Sequence, residues 1–199
     1  MVNLKSTLVI SFMGVDGSGK STLIKKLNER LKKSSLKIKN LHLRPYFFLT
    51  DTSTVNSNPH DQKPPSSQLI SLIKILKWFF IYHIFFIMNL NKKNQLIIFD
   101  RYAHDLLIDR IRYRHSLSLK LTRKILDYFP EPDLWVFLKA PINILEKRKR
   151  ELPRKELKSQ GKKYIEFAKT RNNVLLLNTR KSINSNVSLI EKRINSINI

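Results

Sequence analysis

Residues 8–21 read Leu8-Val9-Ile10-Ser11-Phe12-Met13-Gly14-Val15-Asp16-Gly17-Ser18-Gly19-Lys20-Ser21, an apolar run leading directly into G-x-x-x-x-G-K-S. The spacing predicts a buried strand, a phosphate-binding loop and the start of a helix, in that order. Gly14, Gly17 and Gly19 let the backbone turn tightly and aim successive N–H groups at phosphate oxygens. Lys20 is placed to reach the β- and γ-phosphates of a nucleoside triphosphate, and the Ser21 hydroxyl to ligate Mg²⁺. Thr22-Leu23-Ile24-Lys25-Lys26-Leu27 opens the helix, whose N-terminus adds partial positive charge. Three of the chain's four glycines fall in this one loop, which argues against a chance match in a turn. The sequence therefore predicts binding of ATP or GTP.

Working outward, further short apolar runs occur at Ile38–Leu43, Leu96–Phe99, Leu134–Leu138 and Val174–Leu177. Helices are expected at about 20–34, 67–91, 104–113, 117–128, 142–150, 154–170 and 184–197. Alternation of this kind predicts an α/β chain with a parallel sheet covered by helices. The chain shows neither a repeat nor a linker, so residues 1–199 are expected to form one domain. The segment Thr50–Ser67, with Pro59, Pro64 and Pro65, reads as a long loop of the kind that often carries function.

Composition narrows the class. The chain has 199 residues, 42% of them hydrophobic, enough for a real core. It contains no cysteine, which excludes disulfides and thiolate metal sites. The first residues run straight into the opening strand and leave no room for a signal peptide, so a cytoplasmic location is expected. The net charge of +23 suggests nucleic acid, but the cations are spread along a Lys/Asn/Ile-rich background rather than gathered in one tail. A cleft holding phosphorylated small molecules accounts for cationic character, and no nucleic-acid partner is expected. The stretch Trp78–Met88 is apolar all round. Lys74 and Lys77 interrupt it and Asn89, Asn91, Lys92 and Lys93 close it, so a buried or homodimer helix within 67–91 is favoured over peripheral membrane contact, and both over a membrane span.

A second motif, Gln95-Leu96-Ile97-Ile98-Phe99-Asp100-Arg101-Tyr102, ends a buried strand in an acid. Asp100 is expected at the carboxyl edge of the sheet beside the phosphate loop, where it can hold the Mg²⁺ shell or accept a proton from the attacking group. Arg101 can grip a phosphate.

Phe12–Thr22 together with Asp100-Arg101-Tyr102 resembles the thymidylate kinase family of P-loop nucleotide kinases. The resemblance implies a three-layer fold with a five-stranded parallel sheet, helices on both faces and a small lid, with ATP as donor and Mg²⁺ as cofactor. It implies that Gly14, Asp16, Gly17, Ser18, Gly19, Lys20, Ser21 and Thr22 surround the triphosphate, and that Asn178 and Thr179 lie near the adenine. Asp16, Arg44, Arg101 and Tyr102 fall on the acceptor side, Arg44 from Leu43-Arg44-Pro45, where the family's acid between Arg and Pro is missing. A lid is expected at about 146–158, with Arg148, Arg150 or Arg154 closing over the transferring phosphoryl group. Lys20, Asp100 and Arg101, with Arg148 and Arg150, form the catalytic set, and Ser21 with Asp100 the metal set.

The chain departs from the family after Asp100-Arg101-Tyr102. The family follows that motif with a Ser and then an A-Y-Q-G-type segment, whereas His104, Asp105, Asp109, Arg112 and Arg114 stand here. On a helix over 104–113, Asp105 and Asp109 would share a face and Arg112 would fall near Asp109, as structural ion pairs. The pattern also resembles thymidylate-kinase-like proteins encoded beside bacterial surface-polysaccharide genes. The expected activity is transfer of the ATP γ-phosphate to a nucleoside monophosphate, with dTMP the default acceptor. A sugar or other small metabolite, or a nucleotide-binding regulatory protein at a membrane surface, are the alternatives. No N-K-x-D sequence is present to read guanine.

Overall fold

The computed structural model describes residues 4–45, 64–148 and 153–197. Five strands, β1 (Leu8–Met13), β2 (Lys37–His42), β3 (Gln95–Asp100), β4 (Leu134–Lys139) and β5 (Val174–Asn178), form one sheet in the order β2-β3-β1-β4-β5. Every neighbouring pair is parallel. All five expected strands are present, to within a residue or so at their ends.

The central strands read as nearly continuous apolar runs because both faces of a parallel sheet are covered. Alternation along each strand then divides the core into two layers. Ile10, Phe12, Ile98, Leu134 and Val136 face α1 (Lys20–Leu31) and α6 (Ile183–Ile197), packing on Leu27, Val187, Ile190 and Ile194. Val9, Met13, Ile97, Phe99, Trp135 and Phe137 face the other layer, with α2 (Gln68–Asn89), α3 (Leu119–Leu126) and α5 (Arg154–Ala168). A short helix α4 (Ile142–Arg148) precedes α5.

The helix α2 is long and apolar enough to cross a membrane by composition. It instead buries Ile75, Trp78, Tyr82, Phe85 and Asn89 against the sheet. The strands that precede and follow it, β2 and β3, are hydrogen-bonded neighbours, an arrangement that a crossing helix would pull apart. Its outer face leaves Leu69, Ile73, Leu76, Phe80, Ile84 and Ile87 exposed.

One expected helix is absent. Over 104–113 the chain forms only a short 3₁₀ turn, Ala103–Leu107, followed by turns to Arg114, which has a positive φ of 51°. Side chains there capture backbone groups that a helix would use. Asp109 Oδ1 accepts from the Arg112 N–H at 3.3 Å, and the Arg110 guanidinium donates to the carbonyls of His115 and Leu117. Most of the loop expected at Thr50–Ser67 lies outside the described residues.

Candidate active site

The strand order places the carboxyl ends of β1 and β3 side by side at the point where the connections diverge, where ligands of open α/β sheets bind. The phosphate loop leaves β1 there. Gly14 has φ 148°, and a Cβ on it would meet the Leu138 carbonyl oxygen at 2.9 Å, so only glycine fits. Gly19 caps α1 at φ 95°, turning the chain so that Lys20 begins the helix. Lys20 Nζ is buried and donates to the carbonyls of Gly14 (2.7 Å) and Val15 (3.1 Å). Burial, followed by repulsion from Arg101, pushes its pKa down to about 8 against the pull of Asp100, Asp16 and Asp105.

Around this loop opens a cavity of about 460 Å³. Its wall joins Asp16 through Leu23 to His42, Asp100, Arg101, Arg112 and Arg148, with Thr179, Lys181, Ile183 and Asn186 on the β5 side. Arg148 Nη1 donates to the Gly17 carbonyl at 3.2 Å, which brings the end of α4 onto the phosphate loop. Ser21 Oγ donates to Asp100 Oδ2 at 3.2 Å. Asp100 Oδ1 is buried with no hydrogen-bond partner among the described residues. A hydroxyl and one carboxylate with an uncommitted oxygen suit Mg²⁺, which takes one or two protein oxygens and fills its octahedron with water and phosphate. The residues therefore fit the ion that the sequence implies, with Ser21 and Asp100 as its holders.

The opposite wall is a network of charges. Arg101, in the left-handed region at φ 76°, donates Nη2 to Asp16 and Nη1 to Asp105 and Tyr164. Asp105, fully buried, also accepts from the hydroxyls of Tyr113 (2.7 Å) and Tyr164. Burial alone would lower the Arg101 pKa, but the Asp105 carboxylate, with Tyr164, Tyr113 and Asp16 behind it, outweighs that and holds the guanidinium charged. Arg112 Nη1 donates to the second oxygen of Asp16. His42 sits 4.0 Å from Asp100, and burial lowers its pKa while Asp100 acts the other way.

Three comparisons with known proteins bear on this geometry. A probable thymidylate kinase of Sulfolobus acidocaldarius is 29% identical over 195 residues, 88% of this chain and 90% of that protein. A probable thymidylate kinase of Sulfurisphaera tokodaii is 30% identical over 188 residues, 84% and 85% of the two. The chain belongs to the thymidylate kinase family. The structure of thymidylate kinase from Candida albicans superposes with a TM-score of 0.63 at 18% identity, covering 98% of this chain and 93% of that one, which shows the shared three-layer fold. No protein-family model matches the chain.

Against the family's pattern, the structure sorts the expected residues. Asp16, Gly17, Ser18, Gly19, Lys20, Ser21, Thr22, Asp100, Arg101, Arg148 and Thr179 all line one cavity. Gly14 lies behind it, shaping the loop against Leu138. Asn178 is not in the wall: its Oδ1 accepts from the Arg180 N–H and its carbonyl from Asn186. Arg44 is displaced too, its guanidinium carbon 5.9 Å from the Trp78 ring centroid. Tyr102, expected at the acceptor, is a correction: it is fully buried, packs on Tyr82, Phe99 and Trp135, and donates its hydroxyl to the Pro130 carbonyl at 2.6 Å. Strand alternation ends at Asp100: Asp100 and Arg101 both line the cavity, and the left-handed φ of 76° at Arg101 turns the chain so that Tyr102 enters the core beside Phe99. Among the lid arginines, Arg154 pairs with Glu146 at 2.6 Å away from the cavity, and Arg150 lies outside the described residues. His104 is core, stacked on Tyr102, with burial and then Arg171 pushing its pKa down to about 3. Asp105 does form a structural ion pair, but with Arg101 outside the 104–113 segment, and Arg112 reaches Asp16 instead of pairing with Asp109 along a helix. Arg112 and His42 were not among the expected site residues. The unusual run Arg110-Ile111-Arg112-Tyr113-Arg114, standing where the family carries A-Y-Q-G, was the signal for the first.

Proposed function

We propose that this chain is an ATP-dependent nucleoside monophosphate kinase that transfers the ATP γ-phosphate to dTMP. The observation that supports this best is the convergence, in one cavity, of the phosphate loop, the Ser21–Asp100 pair and the charged cluster of Asp16, Arg101 and Arg112. In this scheme backbone N–H groups of Gly17 through Ser21 cradle the donor phosphates, and Lys20 turns from its carbonyl partners to their oxygens. Ser21 and Asp100 would hold Mg²⁺, which would neutralise charge on the triphosphate. Arg148 follows the transferring group from the lid side, where stabilising developing charge matters most. Arg101, immobilised by Asp16, Asp105 and Tyr164, fixes the acceptor end, so catalysis rests on positioning rather than on covalent chemistry. The lid comprises the end of α4 and the start of α5.

A panel of nucleoside monophosphates, thymidine and simple sugars, each offered with MgATP, tests the assignment by acceptor-dependent ADP release. dTMP is expected to give the highest kcat/KM; a sugar exceeding it would overturn the assignment.

We also assign the exposed face of α2 to a second copy of this chain. Leu69, Ile73, Leu76, Phe80, Ile84 and Ile87 recur at steps of three and four, which makes one stripe able to meet its own image across a two-fold axis. Phe80→Glu is expected to convert a dimer to a monomer in sedimentation equilibrium. A wild-type monomer that instead pellets with anionic vesicles would replace this partner with a membrane.

A further inference from the structure

We infer that Arg112 is the residue that takes the acceptor's anionic end, a phosphomonoester dianion, in the place that the sequence pattern gave to Arg44. The inference rests on the kinase reading of this same cavity and names which cation the acceptor meets.

The two arginines expected to do this are differently committed. Arg101 is 2% exposed, with Nη1 spent on Asp105 and Tyr164 and Nη2 on Asp16. It orders the acceptor end from behind, with these donors spent on the protein, and leaves the grip on the ligand to another cation. Arg44 leaves β2 after Leu43, whose φ is 62°, and its guanidinium lies over the Trp78 ring rather than in the cavity wall. Arg112 is in the wall, 16% exposed, and spends Nη1 on Asp16 Oδ2. Its Nε–H and Nη2 donors make no hydrogen bond among the described residues. A planar fork with donors to spare is the geometry that grips a phosphate oxygen pair.

The position is also right. Asp16 belongs to the phosphate loop, so a guanidinium tied to it sits next to where the transferred group leaves the donor. Arg101 and Arg112 are balanced by Asp16 and Asp105, and the wall also carries Lys20, Arg148 and Lys181 against Asp100, so net positive charge remains for a dianion. The segment carrying Arg112 is held on every side. Asp109 caps its N–H at 3.3 Å, Asp105 holds the Tyr113 hydroxyl at 2.7 Å, Lys74 Nζ donates to the Tyr113 carbonyl at 3.0 Å, and Arg114 Nε donates to the Pro64 carbonyl at 2.9 Å. Such anchoring means the cation is ordered before the ligand arrives. The segment that replaces the family's A-Y-Q-G element thus has a task of its own: it selects phosphorylated acceptors over neutral ones.

The test fills the donor site with a non-hydrolysable ATP analogue and Mg²⁺, then titrates inorganic phosphate onto wild type, Arg112→Met and Arg112→Lys. Turnover of dTMP is measured on the same proteins. Phosphate affinity is expected to fall by about tenfold or more in Arg112→Met, the size of a lost charge-assisted bond, and by less in Arg112→Lys. For dTMP the loss appears in KM with kcat little changed, and affinity for the ATP analogue stays within about twofold. Equal phosphate affinity in wild type and both variants, or no phosphate binding by wild type, overturns the inference. If Arg112→Met fails to fold, Arg112→Lys carries the test, since it keeps the charge and loses only the fork. Absence of dTMP turnover with Arg112-dependent phosphate binding would sink the dTMP assignment and leave Arg112 in its role. Brisk dTMP turnover with Arg112-independent binding would do the reverse.

Discussion

The two halves of the cavity are built on different principles. The donor half comes from eight consecutive residues, Gly14–Ser21, whose work is done by backbone shape, one lysine and one hydroxyl. The acceptor half is assembled from side chains far apart in sequence. Asp16, Arg101, Asp105, Arg112, Tyr113 and Tyr164 reach one another from the phosphate loop, the end of β3, the turns after it and α5. The donor half is therefore strict in sequence and mostly local, with Asp100 joining it from β3. The acceptor half depends on a buried carboxylate to hold its arginine.

That contrast is broken or sharpened first at Asp105. Asp105→Ala would leave the buried Arg101 guanidinium and two tyrosine hydroxyls without their acceptor. Denaturant unfolding should show a loss of about 3–5 kcal/mol, the cost of orphaning one member of a buried ion pair. A loss below about 1 kcal/mol, the range of an exposed pair, would mean Arg101 is not held as described. Asp105→Asn, which keeps the shape, should lose less.

In the donor half the corresponding change costs activity rather than stability. Lys20→Ala removes a charge aimed at the transferring phosphates and should lower kcat by about a hundred- to a thousandfold. The same substitution relieves the burial of a charge and should leave thermal stability unchanged or raised. A variant that keeps wild-type turnover would remove the phosphate loop from the mechanism.

The smallest effect distinguishes the halves by pH. Lys20 titrates at about 8 because burial disfavours its charge, whereas Arg101 stays charged throughout. A bound triphosphate favours the protonated lysine and raises its pKa. Nucleotide affinity should therefore be full below about pH 8 and fall as pH rises through it, by at most about tenfold per unit. Acceptor affinity should show no such step from Arg101. A flat nucleotide profile between pH 7 and about 9.5 would contradict the burial of Lys20.

How much was legible follows the same division. The strands, their parallel pairing and the whole donor loop could be read because apolar runs and G-x-x-x-x-G-K-S are local signals. Tyr102 was misplaced because a motif read as a unit hides the left-handed turn at Arg101, which keeps Asp100 and Arg101 at the cavity and sends Tyr102 to the core. The helix expected over 104–113 failed because Asp109 and Arg110 bind backbone groups within the turn, a competition that periodicity does not register. Arg112 was read as a structural partner of Asp109 because its actual partner, Asp16, is 96 residues away. Long-range side-chain contacts leave no period in a sequence. The lid arginines separated only when geometry put Arg148 on Gly17 and Arg154 on Glu146.

In the proposed reaction the two halves act together on one phosphoryl group. Phosphorus NMR of the purified chain with MgATP and dTMP tests this most directly. The account predicts that ADP and dTDP appear together in equal amounts, with no inorganic phosphate. ADP accompanied by inorganic phosphate and unchanged dTMP would contradict it.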